Sequence, residues 1–86
     1  MNDAPSARKF LVEALEQSNV SYFRDEIAVA ESFMAGTTDV PIATLEMDSL
    51  AEMELCIAIE VNTGITIVPE QLRDIEMLSD LAKAIL

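Results

Sequence analysis

In the stretch Leu45-Glu46-Met47-Asp48-Ser49-Leu50, an acid and a hydroxyl stand directly before the longest apolar-rich run of the chain. A serine in that place can cap a helix, its oxygen accepting one of the free N–H groups of the first turn. Ser49-Leu50-Ala51-Glu52 fits the capping-box pattern S-x-x-E, and Asp48 can act as the N-cap in its stead. Alternatively, Ser49 is the residue the whole protein exists to present. A self-activated serine nucleophile has no support, because the 86 residues contain no His and so no Ser-His pair. The His-bearing zinc sites are absent for the same reason. The single cysteine, Cys56, has no partner for an internal disulfide, which points to a reducing compartment. It follows Leu55 in the middle of the apolar run, where a small core-edge residue is expected rather than a reactive thiol.

Charge bounds the partners. Sixteen Asp/Glu against five Lys/Arg give a formal charge of -11, which repels nucleic-acid phosphates and anionic lipid and attracts basic surfaces. The distribution is uneven. Between Arg24 and Arg73 there is no Lys or Arg, while ten acids fall in that interval. Four of them, Asp48, Glu52, Glu54 and Glu60, sit at or on the segment that begins at Ser49. A solvated outer face is the ordinary explanation of such acids. A helix without a basic residue nevertheless forgoes the i,i+4 ion pairs of surface helices, leaving its charges for an external basic partner.

The elements that must position these residues are helical almost throughout. Ala7, Phe10, Leu11, Ala14 and Leu15 form one stripe of an amphipathic helix, with Asp3 or Ser6 to cap it, Pro5 in its first turn and Ser18-Asn19 at its end. A second stripe runs through Phe23, Ile27, Ala30 and Met34 and closes at Gly36. Gly36 to Thr44 has no helical period and reads as a loop. Ser49 to Asn62 is a helix with Leu50, Met53, Ile57 and Val61 on one face and Gly64 beyond its end. Ile65 to Val68 is expected to be an extended, buried connection, since no second strand exists to pair with it. Pro69 opens a single turn, and Leu78, Leu81, Ala82 and Ile85 mark a short last helix. The expected fold is all-α, one domain over residues 1–86: a small bundle of three main helices plus a short one, with a long loop before the Ser49 helix. Apolar residues at 51% suffice for a core. The N-terminus has no signal-peptide pattern and no apolar run approaches the ~20 residues of a membrane span, so a soluble cytoplasmic protein is expected.

The order of residues around Ser49 resembles the core of acyl and peptidyl carrier proteins. Their usual pattern is P-L-x-x-L-G-x-D-S-L-x-x-x-E-L, then L-E, then a short apolar segment and Pro. Here Pro41, Ile42, Leu45, Asp48, Ser49, Leu50, Glu54, Leu55, Ile59, Glu60, Gly64, Ile67 and Pro69 stand in the corresponding places, so the resemblance covers about Pro41 to Leu86. It implies that Ser49 is esterified by 4'-phosphopantetheine, whose thiol carries acyl, polyketide or peptidyl intermediates as thioesters. It implies that Asp48 and Leu50 are read by a phosphopantetheinyl transferase, and that Glu54 and Glu60 meet Lys/Arg patches on partner enzymes. Those partners would be acyl-loading and chain-processing enzymes of ligase, acyltransferase, ketosynthase or condensation type. Met53 and Ile57 would contact partners or line an acyl cavity, with ordinary core packing as the alternative, above all for Ile57. The chain itself would be a monomeric carrier and not an enzyme, without nucleic-acid or membrane partners.

Four departures accompany the resemblance. Glu46 replaces the glycine usual two residues before the Asp, and Ala51 replaces an acid common after Ser-Leu in fatty-acid carriers. Val68 adds a residue before Pro69, and Ser21 to Met34 is longer than the usual link between first helix and loop. Together they point to a free-standing carrier of a specialised pathway. The competing expectation, from a different class, is an unmodified acidic helical adaptor in which Ser49 is only a cap.

Overall fold

The computed structural model describes residues 3–86. Asp3 opens α1 (Ala4–Gln17) by accepting the Ser6 N–H at 2.8 Å, and Pro5 occupies the first turn, where a missing N–H removes nothing. Ser18 closes the helix, its hydroxyl donating to the Leu15 carbonyl at 2.9 Å. Ala7, Leu11, Val12 and Leu15 are buried, whereas Phe10 and Ala14 are only partly so. α1 therefore turns slightly away from the expected stripe and packs against four other helices.

The second stripe is not one helix. The chain forms α2 (Tyr22–Asp25) and α3 (Ile27–Ala35), broken at Glu26 with φ -114° and ψ 66°. The break turns Phe33 inward to stack on Phe23, ring centroids 6.0 Å apart, and leaves Ile27 exposed. Buried aromatic area outweighs one unbroken helical turn here. Arg8 of α1 locks the end of α3: it donates to the Phe33 carbonyl at 2.7 Å and the Thr38 carbonyl at 3.2 Å, with its guanidinium 4.5 Å from the Phe33 ring.

The loop after α3 is more structured than its composition suggests. Val40, Ile42 and Leu45 are buried, and Ile42–Leu45 forms a 3₁₀ turn where an irregular loop is expected. α4 (Ser49–Thr63) follows, then α5 (Pro69–Arg73) and α6 (Leu78–Ala84). The loop is fastened to the start of α6 by Ile42 N–H to the Glu76 carbonyl (2.9 Å) and Leu78 N–H to the Val40 carbonyl (2.8 Å). These belong to an isolated antiparallel bridge between Pro41 and Met77, and no strand occurs among the described residues. The fold is thus the expected all-α small bundle, with six helices among the described residues.

Ile65 to Val68 is extended as expected but not buried as expected. Ile65 and Ile67 are partly covered, while Thr66 and Val68 face solvent, because an extended chain alternates its side chains. At the other end of the 3₁₀ turn, Glu46 has φ 52° and ψ 44°, the sole positive-φ non-glycine residue among the described ones. That left-handed conformation costs about 1–2 kcal/mol for a residue with a Cβ. Glu46→Gly removes that strain but adds freedom to the unfolded chain, worth about 0.4–1 kcal/mol in the other direction. The expected net result is a melting temperature unchanged or raised by a few degrees; a clear fall would show that the Glu46 side chain makes a contribution its exposure does not suggest.

Candidate functional site

Met47 and an extended Asp48 carry the chain from the 3₁₀ turn to the head of α4. Asp48 is the N-cap: its side chain accepts the Ala51 N–H at 2.8 Å and its carbonyl accepts the Glu52 N–H at 3.0 Å. Ser49 is therefore the first residue of the helix and not its cap. It is exposed, and its hydroxyl has no hydrogen-bond partner among the described residues, nor have the backbone N–H groups of Ser49 and Leu50. The site combines a free hydroxyl with unpaired donors at the positive end of a fifteen-residue helix, an arrangement that suits a phosphodiester.

The capping-box reading of Glu52 is replaced by an ion pair. Arg73 of α5 reaches Glu52 through both Nη2 (2.9 Å) and Nε (3.2 Å), a forked contact in which the Glu52 side chain is only 13% exposed. One of the acids expected to lie without internal partners is thus neutralised from across the fold. Glu54 has no partner among the described residues, and Glu60 accepts the Thr66 hydroxyl at 2.8 Å.

The apolar face named from the sequence points outward. Leu50, Met53, Ile57 and Val61 are 57%, 54%, 54% and 77% exposed, and the core side of α4 is Ala51, Leu55, Cys56 and Ile59. Core packing for Ile57 is thereby excluded. At about 100° per residue, Ser49, Glu60, Met53, Ile57, Leu50, Val61 and Glu54 fall in that order within an arc of about 140°. One face of α4 thus holds all the residues singled out there, with Asp48 at its head. Glu52 lies about 60° to the other side of Ser49, so the serine stands on the border between that face and a second feature.

That feature is a groove of about 510 Å³ between the 3₁₀ turn and the segment after α5. Ile42, Met47 and Ile75 are its buried and half-buried lining, and the Glu52–Arg73 pair forms one wall. Sequence patterns did not reveal it, since its sides come from segments some thirty residues apart. The one available signal was Arg73, one of the two bases that bound the ten-acid interval.

Cys56 is no competitor for the site. Burial, aided by the Glu52 carboxylate, pushes its thiol above the ordinary value and keeps it protonated. No group of three metal-ligating side chains occurs among the described residues, and none of their helices is long and apolar enough to cross a membrane.

The loop that delivers Ser49 is held by Asp39, which accepts the Val40 N–H (2.9 Å), the Ser79 N–H (3.1 Å) and the Ser79 hydroxyl. Partial burial pushes the Asp39 carboxyl up, but the hydrogen bonds from Ser79 and Val40, with the attraction of Arg8, together hold it below the ordinary carboxylate value. A carboxyl depressed in the folded state stabilises it above the unfolded pKa, about 3.9, and loses that contribution as pH falls through the folded value. Wild type is therefore expected to lose melting temperature below about pH 4 more steeply than Asp39→Asn, which starts lower at pH 7. Parallel curves would show that the clasp is not ionic.

No family model matches the chain, and neither a curated protein nor a solved structure matches it.

Proposed function

We propose that the protein is an acyl carrier protein, free-standing and serving a specialised biosynthetic pathway, with 4'-phosphopantetheine esterified to Ser49. The observation that carries this is the division of labour at the head of α4: Asp48 caps the helix, which leaves the Ser49 hydroxyl exposed and unengaged. A serine that only capped would have spent that oxygen on a backbone N–H.

The residues present fit the group. Ser49 Oγ would attack the phosphorus that bears the pantetheine arm in a nucleotide-activated donor. The donor's phosphoanhydride bond would break and its nucleotide leave while the transferase takes the hydroxyl proton, so that the chain needs no base of its own. The free N–H groups of Ser49 and Leu50 would face the resulting phosphodiester. When attached, phosphopantetheine supplies the thiol that holds an acyl, polyketide or peptidyl intermediate as a thioester. Asp48 and Leu50 flank the serine where a transferase must read it. Met53 and Ile57 offer exposed apolar contact, and Glu54 and Glu60 border them as carboxylates for a Lys/Arg patch on a loading or processing enzyme. Such a face steers encounter more than it tightens the complex, as suits a carrier that must leave each partner.

Intact mass after co-expression with a promiscuous phosphopantetheinyl transferase tests the proposal. One phosphopantetheine, mapped to Ser49, is the expected result. No addition with any transferase tried would remove the carrier function and leave an unmodified acidic adaptor using the same exposed face.

A further inference from the structure

The groove beside Ser49 has a floor and a rim of different chemistry. Ile42, Met47 and Ile75 are buried or half-buried and form the floor, whereas Glu46, Asp74 and Glu76 are exposed and form the rim. The one base in its walls, Arg73, is already engaged by Glu52. None of the three rim carboxylates has a basic partner among the described residues. The volume of 510 Å³ lies within the roughly 300–1,000 Å³ of small-molecule sites.

From this we infer that the groove receives the acyl cargo itself, and that this cargo has a short apolar body ending in a cationic nitrogen. The inference rests on the carrier function proposed above and deepens it by naming the cargo class. Ser49 stands between the outward face of α4 and Glu52, one turn away on the groove side, so a flexible arm on its oxygen can turn toward either. Toward the outward face it meets exposed apolar side chains that a partner enzyme would cover. Toward the groove, an apolar chain is removed from water by the floor while an ammonium at its end meets the Glu46, Asp74 and Glu76 carboxylates. A cargo ending in a carboxylate meets like charge at the same rim and is turned away. An uncharged chain gains the floor alone.

The test attaches three arms of equal length to Ser49 through the transferase, joined by amides that do not hydrolyse and ending in an ammonium, a hydroxyl or a carboxylate. Amide NMR spectra then report where each arm lies. The ammonium arm is expected to shift the signals of Glu46, Met47, Ile75 and Glu76, with up to about fivefold greater occupancy than the hydroxyl arm. The carboxylate arm leaves those signals as in the unloaded carrier. Glu46→Gln, Asp74→Asn and Glu76→Gln combined, all exposed substitutions that leave the floor intact, should erase the difference between ammonium and hydroxyl arms. Equal shifts from all three arms, or shifts confined to Leu50, Met53, Ile57 and Val61, would overturn the inference. The same arms joined by a disulfide to the Ser49→Cys protein keep the two proposals apart. If a transferase leaves Ser49 unmodified the carrier function falls, and the disulfide-linked arms still show whether the groove selects a cation.

Discussion

Ser49→Ala is expected to lose modification completely while melting within a few degrees of wild type, and Asp48→Ala is expected to do the reverse. The contrast follows from the geometry at the head of α4. Asp48 holds the Ala51 N–H at 2.8 Å, so its removal exposes an unsatisfied donor and costs about 0.5–2 kcal/mol. For a domain of this size, each kcal/mol shifts the melting temperature by roughly 4–8 °C. Ser49, exposed at the first helical position and without a hydrogen bond, contributes within about 0.5 kcal/mol either way. Asp48→Ala keeps the hydroxyl that receives the group, so it should still be modified, more slowly if the transferase reads the acid. Intact mass and thermal melts on the two variants make the comparison. If Ser49→Ala lost the stability and Asp48→Ala did not, the cap would be on the serine after all; modification at any other residue would end the assignment of Ser49.

Charge reversal on the outer face of α4 should separate recognition from stability. Glu54→Lys and Glu60→Lys are each expected to slow transfer to a cognate partner enzyme by up to about fivefold, the ratio that ~1 kcal/mol of exposed electrostatics gives. Glu54 is the cleaner site because it has no partner among the described residues, whereas Glu60→Lys also gives up the Thr66 hydroxyl. Melting temperatures should barely move. Raising salt should slow wild type more than either variant, since screening acts on an attraction the variants lack. Equal rates and equal salt slopes for all three proteins would make these carboxylates a merely solvated face. Recognition would then rest on the apolar contacts of Leu50 and Met53, more than half exposed between the acids.

The head of α4 was legible because its signals are local. An acid, a serine and a leucine before a periodic run place a helix start within a residue, and only the choice between Asp48 and Ser49 as cap stayed open. Which side of α4 faces the core was not legible. Leu50, Met53, Ile57 and Val61 form a regular apolar stripe, but Ala51, Leu55, Cys56 and Ile59 form another on the opposite side. A helix apolar nearly all round carries no periodic preference, and the decision falls to packing against α1 and α5. The break at Glu26 was hidden for a related reason. No Gly or Pro marks it; it exists because Phe33 must reach Phe23, a contact across ten residues. The Glu52–Arg73 pair and the groove beside it join segments twenty-one or more residues apart, beyond the range of any local pattern.

The packing of α1 against α6 sets an order on synthesis. Leu11 and Leu15 belong to the same core cluster as Leu78, Leu81 and Ile85. A ribosome that has delivered α1 through α4 therefore holds a chain whose first helix still lacks part of its cover. The loop ahead of Ser49, held near its start by Arg8 at the Thr38 carbonyl, lacks its remaining ties until Glu76, Leu78 and Ser79 emerge to bind Ile42, Val40 and Asp39. Closing a loop of this length costs little more than closing a short one, so the delay is one of translation time rather than of free energy. The serine consequently acquires its fixed setting only after the segment through Ile85 is made, and a transferase meeting the nascent chain earlier would find a hydroxyl without a site around it.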